Sequence, residues 1–244
     1  MTGYTKRTLR TSMALLVACM FGFSGTALAD SFSIEGATDS NNTALIDFVY
    51  DGTDTLNIEI TNISALWDPR VTGFAFNAPA AVTGVSSFIA DPNFNGAWSY
   101  DFDPNDISSP QPFGSFDIAG ITGPNLNGGS ALNGIPNAAN DTVAQPNMVN
   151  FTFVLTGTGL GSLTTSSFLN ILSDTSTNPT KNDTAVSFLG RFQRTGLDGK
   201  GSDVAIPGGQ VPPGGEVPEP GTILLFGSGL AGLGLWRWKK TKKS

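Results

Sequence analysis

In the segment TLNIEI at 55–60, Leu56, Ile58 and Ile60 take every second position, with Asn57 and Glu59 between them. Such alternation puts apolar side chains on one face of a strand and polar ones on the other, a period that no helix satisfies. The same signature recurs in ALIDFVY (44–50), VTGFAFN (71–77), AWSYDF (97–102), PFGSFDI (112–118), MVNFTFVL (148–155) and AVSFLGRFQ (185–193). Asp51-Gly52 separates the first two runs and predicts a hairpin turn. Phe151, Phe153 and Leu155 share one face of their run, and Val186, Phe188 and Phe192 point inward from theirs. Helix is confined to SLTTSSFLNILS (162–173), which also reads as strand. The 30 glycines and 15 prolines suit short strands and turns and oppose long helices. The expected architecture is mainly β: a single antiparallel β-sandwich, jelly-roll-like, over residues 30–205. Residues 120–147 interrupt the pattern and read as one long Asn- and Gly-rich loop, of the kind that is functional or disordered.

Both ends differ from this body. Lys6, Arg7 and Arg10 precede the apolar run MALLVACMFGF at 13–23, and Ala27 and Ala29 form an A-x-A ending. This is the layout of a secretory signal over residues 1–29, cleaved between Ala29 and Asp30. The run LVAC ending at Cys19 resembles the lipobox of bacterial lipoproteins, so an acylated Cys19 is the competing expectation. Cys19 is the single cysteine, and cleavage at Ala29 leaves a body that must fold without a disulfide.

At the other end, residues 206–216 form a Pro/Gly linker, and Pro218-Glu219-Pro220 follows. Residues 222–238, TILLFGSGLAGLGLWRW, make about 25 Å of helix, enough for a transmembrane span. Trp236 and Trp238 fall at an interfacial belt, and Arg237, Lys239, Lys240, Lys242 and Lys243 stop translocation, which leaves the body outside the cytoplasm. Pro218, Glu219 and Pro220, the apolar Gly-rich stretch and the basic end together resemble the PEP-CTERM sorting domain of Gram-negative bacteria, over residues 217–243. The same region is also described as an ice-binding-protein C-terminal domain. The resemblance implies an exosortase-type processing enzyme as partner, with Pro218, Glu219 and Pro220 as the motif it reads. It also implies an inner-membrane-anchored precursor, then delivery to the outer surface or the extracellular space.

Between Asp30 and Val217, 19 acids face five bases (Arg70, Lys181, Arg191, Arg194 and Lys200), a net of −14. Such a body repels nucleic acid. With no histidine, and no cysteine after Cys19, it has no Ser-His-Asp triad, no cysteine nucleophile and no usual zinc site. The expectation is a non-enzyme with no cofactor and no metal centre. Asp101, Asp103, Asn105 and Asp106 resemble the start of a calcium loop. The places that need Gly and Glu hold Asp106 and Pro112, so the segment reads as a turn, with calcium left open. Phe94, Trp67, Trp98 and Tyr100 read either as core or as a sugar-stacking platform. Arg191 and Arg194 read as partners of surface carboxylates. The expected function is an exported cell-surface or extracellular matrix protein, structural or adhesive and associated with exopolysaccharide. A carbohydrate-binding module is the alternative. A two-carboxylate glycosidase is the weaker one, since Glu35 and Glu59 are the only glutamates over residues 30–205.

Overall fold

The structure is a computed structural model that describes residues 29–109, 113–176 and 184–208. Within them lie ten strands: β1 (Asp30–Gly36), β2 (Thr43–Tyr50), β3 (Thr55–Asn62), β4 (Arg70–Phe76), β5 (Val82–Ala90), β6 (Ser99–Ser108), β7 (Ser115–Ile121), β8 (Met148–Gly157), β9 (Phe188–Thr195) and β10 (Gly201–Pro207). The helix α1 (Thr165–Leu169) falls inside the segment that the sequence reads as helix or strand.

The alternating runs became strands because each had one face to bury. The β2–β3 hairpin keeps register from Ala44 opposite Asn62 to Tyr50 opposite Leu56. Asp51 closes its turn by accepting the backbone N–H of Thr53, Asp54 and Thr55 at 2.7–3.1 Å. Partial burial pushes the Asp51 carboxyl up, but these donors outweigh it and hold the group below the ordinary carboxylate range. Leu56, Ile58 and Ile60 are all buried, as are Phe151, Phe153 and Leu155 of β8, which pairs with β3.

All ten strands pair antiparallel in one nearly closed sheet, in the order β5-β8-β3-β2-β1-β10-β9-β4-β7-β6. The expected two-sheet jelly-roll sandwich is therefore corrected. Two five-stranded halves do face each other across a core, but β1 and β10 join them into a single sheet. That join is short, running from Ile34 opposite Pro207 to Gly36 opposite Ala205. β10 extends two residues past position 205, into the segment read as linker. At the opposite seam, β5 and β6 meet through side chains. The Phe88 and Tyr100 rings lie 5.5 Å apart, and the Tyr100 hydroxyl donates to the Val85 carbonyl at 3.2 Å.

Aromatic rings from both halves fill the interior. Phe74 of β4 reaches across to Phe151 and Phe153 of β8 and also touches Phe76, Trp98 and Phe188, with centroids 4.9–6.5 Å apart. Gly120 of β7 makes room for that ring, because a Cβ there would stand 2.4 Å from it. Phe168 of α1 caps one end against Tyr50 and Phe48.

β4 and β7 are buried on both faces. Their outer face carries a second apolar cluster that includes Ala75, Ala119, Leu189, Leu126 and Val186. Leu126 comes from the segment expected as a long loop. That segment is packed rather than loose: after β7 ends at Ile121, Ile135 exchanges backbone hydrogen bonds with Val71 at 2.9 and 3.1 Å and is fully buried.

On the outer face of the other half, Asp47 of β2 stands directly opposite Glu59 of β3. Like charges in register repel. Glu59→Gln is expected to raise stability by about 0.5 kcal/mol. The gain should appear as a higher urea midpoint and shrink in molar salt, which screens exposed charges.

Candidate functional site

The loop at 63–69, between β3 and β4, presents Trp67 to solvent. Trp67 is 43% exposed and sits at φ 63°, a left-handed backbone that bulky residues rarely adopt. Long-range partners hold it there. Asn137 donates its side-chain amide to the Trp67 carbonyl at 3.0 Å, and Asn62 donates to the carbonyls of Pro69 at 2.8 Å and Ile135 at 2.9 Å. Both asparagines are buried.

Asp68 fixes the other side of this loop. Its carboxylate pairs with Arg194 at 2.9 Å and with Arg70 at 3.4 Å, and Arg70 also donates to Gln145 at 2.9 Å. Arg194, near the end of β9, is likewise left-handed, at φ 60°. Trp67, Asp68 and Arg194 line an open cleft of about 240 Å³, together with Leu197, Asp198 and the glycines of the β9–β10 turn. Two carboxylates and one guanidinium stand there beside a single aromatic side chain.

A second polar centre is built on β10. Asp203 of β10 is buried and accepts from Thr38 N and Oγ1, Asp39 N, Asn42 Nδ2 and Val204 N at 2.7–3.2 Å. Arg191 lies alongside, donating to the Ser202 hydroxyl at 2.9 Å and the Asp203 carbonyl at 3.4 Å. Burial pulls the pKa of its guanidinium down, and the Asp203 charge works against that. This arrangement ties the β1–β2 loop to β10 and leaves the carboxylate enclosed, so its role is structural.

The four aromatics considered together as a platform are separated. Phe94 is buried, and Trp98 packs in the core on Phe74 and Phe151. Tyr100 stands at the β5–β6 seam, and Trp67 alone lines the cleft. Arg194 does pair with a surface carboxylate, as expected, whereas Arg191 is half buried against β10. Asp101, Asp103, Asn105 and Asp106 lie in β6, where the register shifts between Phe102 and Ile107. Asn105 turns left-handed at φ 59° and donates its N–H to the Asp117 carboxylate at 2.7 Å, so this is a bulge within a strand rather than a free turn. Among the described residues, no group of three or more His, Cys, Asp or Glu stands close enough to hold a metal ion. Glu35 and Glu59 lie on different strands, β1 and β3. Asn62, Asn137 and Gln145, which brace the Trp67 loop, were not singled out in the sequence, because their partners lie far along the chain.

Ala29 is the first described residue and is exposed; Asp30 opens β1, where burial raises its carboxyl pKa. Pro218, Glu219, Pro220, Arg237, Lys239, Lys240, Lys242, Lys243, Cys19 and the expected span at 222–238 lie outside the described residues. Among the described residues, no helix is long and apolar enough to cross a membrane.

Residues 216–240 match the family model of the PEP-CTERM protein-sorting motif. The chain thus carries the sorting signal that Pro218, Glu219 and Pro220 suggested. The motif implies an exported protein that exosortase processes for the surface or the extracellular space. No curated protein and no solved structure matches the chain.

Proposed function

We propose that the protein is a structural or adhesive component of the cell surface or extracellular matrix, associated with exopolysaccharide and without catalytic activity. The observation that carries this reading is the sorting motif at 216–240. Supporting it, the β body fills its interior with packed rings and exposes a strongly acidic exterior, properties suited to a durable module outside the cell. Residues 222–238 anchor the precursor in the inner membrane, with Arg237, Lys239, Lys240, Lys242 and Lys243 holding the end in the cytoplasm. Exosortase reads Pro218, Glu219 and Pro220 just outside that anchor, where the prolines favour extended backbone.

Glu219→Ala removes the one charge in the motif and leaves the apolar anchor intact. In a host that carries exosortase, full-length protein is expected to accumulate in the inner membrane, with little at the surface. Deleting residues 221–244 should instead release unanchored protein into the periplasm. Cell fractionation and immunoblotting read both results. Ordinary surface delivery of Glu219→Ala would reduce the motif to a linker turn before a simple anchor.

A further inference from the structure

We propose that the cleft between the 63–69 loop and the β9–β10 turn is a saccharide subsite, in which the face of Trp67 stacks on a neutral hexose unit of a polysaccharide. An indole exposed at φ 63° is not what stability alone favours, because a smaller or more flexible residue would relieve the backbone. Yet the strain is held in place by Asn137 on the Trp67 carbonyl and by Asp68 clasped between Arg70 and Arg194. A backbone already fixed in this way needs less ordering on binding.

The surroundings select the ligand. A sugar ring offers a C–H face for an indole and a rim of hydroxyls for polar groups. Asp198 supplies a carboxylate acceptor, and the N–H groups of Arg194 not spent on Asp68 supply donors. Leu197, 84% exposed on the neighbouring turn, adds an apolar side chain to the rim. Uronate or sulfated chains are disfavoured, since Arg194 is committed to Asp68 at 2.9 Å and the body carries a net of −14. The open cleft admits one unit of a longer chain laid across the rim rather than a wholly enclosed small molecule.

The subsite rests on the protein's reaching the surface, and fractionation reads that delivery separately, so failure of one is not failure of the other. The full-length protein, purified in a polyoxyethylene detergent that presents no sugar, is titrated calorimetrically with maltohexaose, cellohexaose, laminarihexaose and an alginate hexamer. Saturable binding of at least one neutral hexamer is expected. Trp67→Gly should weaken it about tenfold or more, and Trp67→Phe, which keeps an aromatic face, should lose less. Trp98→Phe, a change in the core, should leave affinity within about twofold. No binding of any neutral hexamer, a preference for alginate, or undiminished binding by Trp67→Gly would overturn the assignment.

Discussion

Phe74→Ala should cost about 3–5 kcal/mol, the range for truncating a fully buried ring. Phe74 is 0% exposed and touches five other aromatic residues drawn from both halves of the sheet. Its loss opens a void where the two halves of the sheet meet. A domain's whole stability is roughly 5–15 kcal/mol, so the variant should lose a large share of its urea midpoint. Gly120 gives the experiment a second arm. In the native background Gly120→Ala sets a methyl 2.4 Å from the Phe74 ring and should cost about 1–3 kcal/mol by overpacking. In the Phe74→Ala background the same methyl enters free space, and the cost should largely vanish. Additive losses would mean that the ring and the glycine are not in contact.

Asp203→Ala is expected to be comparably severe, about 3–5 kcal/mol, through a different cause. The carboxylate is 3% exposed and collects donors from Thr38, Asp39, Asn42 and its own neighbour Val204. Removing it strands the buried N–H groups of Asn42 and Val204, releases the part-buried donors of Thr38 and Asp39, and takes from half-buried Arg191 the charge that offsets its burial. Asp203→Asn keeps the shape but turns one acceptor into a donor facing donors, so an intermediate loss of about 2 kcal/mol is expected. Chemical denaturation read by circular dichroism checks both. A loss under about 1 kcal/mol for Asp203→Ala would show that water replaces the carboxylate and that the network does not hold the loop.

The readable part of the fold was the part with period two. β2, β3 and β8 each bury one face against the same core, and the identity of their inward residues followed directly from alternation. β5 was not legible, because bulges between Val82 and Gly84 and between Val85 and Ser87 break its period. β1 and β10 were missed because DSFSIEG and GSDVAIP carry few apolar residues, and their place is fixed by partners at the far end of the chain. VTGFAFN was readable as a strand, but not the burial of its second face, since Leu126 and Val186 reach it from remote segments. The same blindness to distance governed the aromatics. Trp67 and Trp98 look alike in a linear chain, and only Asn137, Arg194 and Phe151 decide that one lines an open cleft and the other is packed, half-buried, against the core. The sorting tail was legible because its three parts are contiguous.

The pairing of β1 with β10 also sets a timetable. Thr38 and Asp203, which meet beside that join, are 165 positions apart. A chain made from its N-terminus supplies β10 last, so β1 waits with its outer edge unsatisfied until nearly all of the body is present. Contacts this remote form slowly, and exposed strand edges invite pairing with strangers in the interval. The sheet therefore cannot close until the residues just ahead of the sorting motif at 216–240 are in place.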